Sequence, residues 1–276
     1  RQVANWRNAG ESIALVPTMG AQHEGHLSLV RTAGRKADRV IVSIFVNPAQ
    51  FAPTEDFGSY PRQEKSDLDK LAPFGVDLVF APNRDEVYPP DFSTGVSVGG
   101  LTECLCGVSR PHFFGGVATV VSKLLNQAQP DIAIFGEKDY QQLLVIRRMA
   151  RDLDIPVKIL GGAIVRENDG LALSSRNAYL SAAERARAPL LNRNLRQVAG
   201  ALAAGGDQKK AVAAAKDALA DAGFRLDYLE VRHAGTLDEV DGSRESPARV
   251  FGAAFLGKTR LIDNVPVRLK PGNARR

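Results

Sequence analysis

The chain has 276 residues, 44% of them hydrophobic and 24% charged, with a net charge of +5 and a pI near 9.3. That balance suits a globular protein with a sizeable core and room for two unequal domains. No apolar run approaches the roughly 18–20 residues needed to span a bilayer, RQVANWRNAG at the start lacks a signal-peptide core, and no Lys/Arg block with interleaved aromatics offers a nucleic-acid stripe.

Four apolar runs punctuate the first part of the chain: IALVP (13–17), VIVSIFV (40–46), DLVFAP (77–82) and DIAIFG (131–136). A fifth, VKIL (157–160), follows. They are rich in Val, Ile and Phe with little alternation, as strands buried on both faces are. Helix-like segments lie between them: HLSLVRTAGRKA, QEKSDLDKLAPF with Leu68 and Leu71 on one side, GVATVVSKLLNQA, and DYQQLLVIRRMARDL. Strands alternating with helices predict an α/β domain with a parallel sheet covered on both faces. Cys104 and Cys106 are the only two cysteines, and their one-residue spacing suits neither a disulfide nor a zinc site. A reducing, cytoplasmic setting is the expectation.

The pattern changes after about residue 175. SAAE (181–184) reads as a capping box at the start of a long helix to about Ala204, stopped by Gly205 and Gly206. A second Ala-rich helix is expected over 208–222, then three strand-like pieces, FRLDYLEVR, ARVFGAAFL and TRLIDNV. The expected division is a parallel-sheet domain over 1–175 and a smaller α+β domain with an antiparallel sheet over 176–276.

Ligands of open α/β sheets sit beyond the C-terminal strand ends, so the residues after each run are the candidates. The first strand is followed by Thr18, Met19, Gly20, His23 and His26, and the second by Asn47 and Gln50. After the fourth come Gly136, Glu137, Lys138 and Asp139, with Gln142 in the next helix. The fifth leads to Val165 and then DGLALSSRN, with Leu173, Ser174, Ser175 and Arg176. His23 and His26 admit three readings: a cap with a surface residue, metal ligands, or anion donors. HEGH is not H-E-x-x-H, so zinc is disfavoured. A helix N-terminus with free N–H groups favours an anion, and imidazoles there can stabilise charge on a leaving pyrophosphate. Lys138 suits a phosphate and Asp139 a ribose hydroxyl, against a plain solvated turn. Ser174 to Arg176 suit a phosphate, against a helix cap. Gln50 and Gln142 can orient a hydroxylated small molecule, against an amide satisfied by backbone. P-loop and G-x-G-x-x-G motifs are absent.

PTMGAQHEGH, SIFVNPAQF, FGEKDYQQL and DGLALSSRN resemble, in order and spacing, the motifs of the pantothenate synthetase (pantoate–β-alanine ligase) family, and the similarity extends to RLIDN near the C-terminus. The resemblance implies a Rossmann-like nucleotidyltransferase domain with a smaller C-terminal domain acting as a lid. It also implies a two-step reaction in which pantoate is adenylated by ATP and β-alanine then displaces AMP. Residue by residue, it implies that Met19, Gly20, His23, His26, Gly136 to Asp139, Val165 and Leu173 to Arg176 bind ATP. His26, His23 and Lys138 are the implied catalytic groups, and Gln50, Gln142 and Asn47 the implied substrate-binding ones. Mg²⁺ on the phosphates, with its ligands unspecified, and a homodimer complete the implication. A nucleotidyltransferase adenylating another small acid or a phosphate ester is the alternative. A nucleotide- or RNA-binding module without turnover is a further one. Three positions depart from the motifs: Ala49 stands where Met is usual, His112 and Phe113 look transposed, and Cys106 replaces an acidic residue, so His112 receives no role.

Overall fold

The computed structural model describes residues 1–53, 55–240 and 247–268. The chain separates into two compact units, Arg1–Val165 and Arg166–Arg276. The division falls before the expected one at 175, and a partly buried ion pair is consistent with that place. Arg166 donates two parallel bonds to Asp263, at 2.7 and 2.9 Å, which ties the start of this segment to the last strand of the smaller unit.

In the larger unit, β1 (Ile13–Thr18), β2 (Arg39–Ile44), β3 (Leu78–Phe80), β4 (Ile132–Gly136) and β5 (Lys158–Gly162) form a parallel sheet in the order β3-β2-β1-β4-β5. Its helices are α1 (Gln2–Asn8), α2 (Glu24–Gly34), α3 (Glu64–Leu71), the one-turn α4 (Arg84–Val87) and α5 (Cys106–Ser109), α6 (Phe113–Ala128) and α7 (Tyr140–Asp152). Ala14, Val16, Val40, Val42 and Ile134 face α2 and α3, where they pack with Leu29, Val30, Ala33 and Leu71. α6 lies against β1, and α7 against β4 and β5.

Aspartates fix the register at the N-terminal edge of the sheet. Asp38, Asp77 and Asp131 immediately precede β2, β3 and β4. Their carboxylates accept the backbone N–H groups of Ser12, Val40 and Ile13, at 2.9, 2.8 and 2.7 Å. With that edge closed by carboxylates, the loops at the C-terminal edge are left to carry chemistry.

α3 departs from its expected face. Leu68 is 40% exposed, whereas Asp67 and Leu71 are each 1% exposed, so a carboxylate takes the buried place beside Leu71. In the smaller unit, the capping box of Ser181 and Glu184 is formed. The single long helix expected after it is interrupted: α8 (Ala182–Arg187) ends and α9 (Leu190–Ala203) begins around Pro189, which cannot supply an N–H to a continuous helix. α10 (Gln208–Asp221) and the antiparallel sheet of β6 (Phe224–His233), β7 (Ala248–Leu256) and β8 (Thr259–Pro266) complete it. Leu191, Leu195 and Val198 of α9 pack there with Leu219, Val250 and Leu261. No helix among the described residues is long and apolar enough to cross a membrane.

The close approach of α6 to the segment after β2 depends on Gly116. A Cβ there would lie 2.2 Å from the Ala49 carbonyl oxygen and 2.5 Å from its carbon. Helix propensity alone favours Ala over Gly by about 1 kcal/mol. We expect Gly116→Ala nevertheless to destabilise the protein by about 1–3 kcal/mol in urea titration, the usual range for overpacking; an unchanged or raised stability would contradict this contact.

Candidate active site

β1 and β4 are neighbours in the sheet, but they pair only at Ala14 and Leu15. β1 pairs with β2 along its whole length, through Thr18. In the order β3-β2-β1-β4-β5 the winding reverses between β1 and β4, the position outside the carboxyl ends where ligands of open α/β sheets bind. The loop after β1 and the turn after β4 flank it.

The first loop is pinned from two sides. Thr18 Oγ1 donates to the Ser43 carbonyl at 2.9 Å and accepts from Gly20 N and Gln22 Nε2, at 3.2 and 2.7 Å. From α3, Asp67 accepts the backbone N–H groups of Ala21 and Gln22, at 2.9 and 2.6 Å, and Lys70 Nζ donates to the Gln22 carbonyl at 2.9 Å. Gly20 (φ +78°) and Ala21 (φ +49°) both take the left-handed conformation. At Gly20 a side chain would also meet Asp67 Oδ2 at 2.9 Å, so this turn requires glycine.

The loop delivers His23 as the N-cap of α2, its Nδ1 accepting from Gly25 N–H at 3.1 Å. Neutral His23 thus carries its proton on Nε2. One turn on, the His26 ring stacks on that of His23 with centroids 4.1 Å apart. His26 Nδ1 is buried and has no hydrogen-bond partner among the described residues. Burial first, then Lys138 and Lys70, bring the His23 pKa down to about 4, with Asp139 opposing them. Burial, His23, Lys138 and Lys70 bring His26 down to about 3. Near neutral pH both imidazoles are therefore uncharged N–H donors at a helix N-terminus, suited to charge that develops on a phosphate oxygen.

The other expected groups are distributed as follows. Gly136 ends β4, and Glu137–Asp139 form a short 3₁₀ turn leading into α7. Lys138 is partly buried and lies 3.9 Å from the Asp139 carboxylate. Gln50 is 8% exposed, and its Nε2 meets Met19 Sδ at 3.0 Å, which joins the second loop to the first. Asn47, 1% exposed, donates to Gln50 Oε1 and the Gly116 carbonyl and accepts from Tyr88 Oη. Its amide is committed to protein partners, so it orients Gln50. Gln142 is half-buried in the first turn of α7, and Val165 closes the larger unit.

In the smaller unit, Leu173 precedes a 3₁₀ helix over Ser175–Tyr179, with Ser174 capping it through Arg176 N. This is the cap reading of that motif, and Arg176 is half-buried.

Several residues that shape the site carried no sequence signal. Asp67 and Lys70 sat in a segment read only for its leucines. Tyr88 follows α4 outside any motif; burial raises its pKa to about 12, so it remains a phenol donor. Arg110 grips Glu55 through two nitrogens, at 2.5 and 2.7 Å, reaches the Gln50 carbonyl at 3.2 Å and covers the Phe113 ring. His112 is exposed at the start of α6 and makes no capping bond.

The depressed histidine pKa values predict a pH dependence. Unfolded histidine takes up a proton near its ordinary value of 6.5, but the native pair does so only near 4 and 3. Between those limits the unfolded state binds more protons, so stability falls as pH drops below about 6.5, and the pair adds no further loss below about 3. Thermal unfolding from pH 7 to 4 should show a shallower slope for the His23→Gln/His26→Gln double variant than for the unmodified protein. Equal slopes would contradict the assignment.

Comparison with known proteins gives consistent results. The family model described as pantoate-beta-alanine ligase matches residues 1–266. A pantothenate synthetase of Caulobacter vibrioides is 58% identical over 96% of this chain and 94% of its own length. Among solved structures, pantothenate synthetase from Thermus thermophilus superposes with a TM-score of 0.91 at 48% identity, covering 96% of this chain and 97% of that one. Pantoate-beta-alanine ligase from Francisella tularensis, complexed with beta-gamma ATP and β-alanine, has a TM-score of 0.82 at 34% identity, covering 98% and 97%.

Proposed function

The chain belongs to the pantoate–β-alanine ligase family, and we propose that its His23–His26 pair serves the phosphates of ATP in the reaction of that family. The protein catalyses the ATP-dependent condensation of pantoate with β-alanine. A carboxylate oxygen is a poor leaving group, so the acid must first be activated. In the proposed sequence the pantoate carboxylate attacks the α-phosphorus of ATP, the α–β bridging bond breaks, and pyrophosphate departs. The β-alanine amine then attacks the acyl carbon of pantoyl adenylate, AMP leaves, and the amine loses a proton as the amide forms.

The observation that carries this reading is the stacked pair of neutral imidazoles at the N-terminus of α2, under the field of Lys138. Such donors stabilise charge that builds up on the departing phosphates without a covalent protein nucleophile. His26 and His23 are assigned to that charge and Lys138 to the phosphates. Met19, Gly20, Gly136, Glu137, Asp139 and Val165 are assigned to ATP, together with Leu173, Ser174, Ser175 and Arg176 of the smaller unit. Gln50 and Gln142 are assigned to pantoate, with Asn47 acting through Gln50.

Mg²⁺ belongs to the proposal as a companion of the triphosphate. Among the described residues no group of three or more His, Cys, Asp or Glu could hold a metal ion. An Mg²⁺ ion on a triphosphate is carried mainly by water and the phosphates, with one or two carboxylates added. Asp139 beside Lys138 offers one, whereas both oxygens of Asp67 are taken by backbone N–H groups. When bound, the ion neutralises phosphate charge. A homodimer and a cytoplasmic setting are further parts of the proposal.

Incubation with pantoate, β-alanine and MgATP should yield AMP and pyrophosphate, and His26→Ala should lower turnover by about 10²-fold, the scale of losing one oxyanion donor. Formation of ADP and phosphate, or an unchanged kcat in the variant, would overturn the respective assignment.

A further inference from the structure

α3 presents two polar side chains to the loop between β1 and α2. Asp67 and Lys70 lie three residues apart, which places them on one side of the helix. Asp67 takes the N–H groups of Ala21 and Gln22, and Lys70 takes the Gln22 carbonyl. Leu71, one turn after Asp67, anchors α3 in the core with Val16 and Val30. The loop they hold contains two consecutive left-handed residues, one of them not glycine. Such a backbone persists only where its surroundings fix it. His23 and then His26 follow directly.

We infer that Asp67 is a positioning residue for the ligase reaction, locking the Gly20–Gln22 turn so that the His23 and His26 rings are set before nucleotide arrives, with Lys70 as its partner. The carboxylate is needed for its two acceptor oxygens. In Asp67→Asn one oxygen becomes an NH₂ group, so the turn loses an acceptor and a donor comes to oppose a backbone N–H. Lys70 adds a field: with Lys138, and against Asp139, it is one of the charged groups that set the pKa of the pair.

The inference rests on the phosphate role proposed for the histidines, but its first readout needs no nucleotide. The chain has four histidines, so His112 and His233 serve as internal controls in an NMR spectrum of the full chain. Asp67→Asn should shift the imidazole signals of His23 and His26 while those of His112 and His233 stay in place. It should also lower kcat/KM for ATP in pyrophosphate release by about 10²-fold, the cost of a misplacement near 1 Å, and affect KM for pantoate less. Unmoved His23 and His26 signals would overturn the inference. So would a shift of all four histidines with equal losses for both substrates, which would mark general loosening. Should Asp67→Asn fail to fold, Lys70→Met takes its place: with the Gln22 carbonyl released, the His23 and His26 signals should shift while those of His112 and His233 stay, and unmoved His23 and His26 signals would overturn the clamp.

Discussion

The separation of β1 from β4 organises the larger unit. β2 follows β1 residue by residue from Ile13 to Thr18, whereas β4 keeps pace only through Ala14 and Leu15. Pro17, the penultimate residue of an otherwise buried strand, has no N–H to donate, and it stands beyond the point where β4 has left. The apolar residues below that point, Ile13 to Val16, are 0–1% exposed. The strand thus passes within a few residues from a closed core to an open edge. The aspartates at the opposite edge hold the register while this one stays free.

On the open edge, the chemistry follows from how charge is managed. A phosphate site built only from cations would bind nucleotide strongly without favouring the transition state. Here two imidazoles are kept neutral by burial and by Lys138 and Lys70, and they stand at the positive end of α2. Donors that are fixed in place gain most from charge that appears during reaction, because they need not reorganise. The buried Nδ1 of His26, lacking a protein partner among the described residues, is a cost of about 1–3 kcal/mol that a core histidine would not ordinarily bear. Gln50 is fixed in the same spirit. The Tyr88 hydroxyl orients the Asn47 amide, Asn47 takes the Gln50 oxygen, and the Gln50 nitrogen is left toward Met19. An amide held this way presents donors, which suits a carboxylate or hydroxyl oxygen.

The strands were legible because buried parallel strands read as unbroken Val/Ile/Phe runs, and the structure does place His23, His26, Asn47, Gln50 and Lys138 after the C-terminal ends of β1, β2 and β4. His23 was also open to the reading of a helix cap, and it is one; capping and anion binding use the same helix end. What the sequence hid is of one kind. Asp67 takes a buried place that helical periodicity offered equally to Leu68, and a carboxylate there looks like surface until its two N–H partners are seen. At Asn47, local pattern does not show that the amide also meets Tyr88 and Gly116, distant in sequence, besides Ala49 and Gln50. Pro189 broke a helix that composition alone carried through to Ala204. Each of these depends on a tertiary partner, and local pattern does not record tertiary partners.

The most direct measurement is a crystal structure of the chain with pantoate and a non-hydrolysable ATP analogue. The α-phosphate is expected within hydrogen-bonding reach of the His23–His26 pair, with the pantoate carboxylate beside it toward Gln50. A triphosphate seated elsewhere, with both imidazoles untouched, would contradict it.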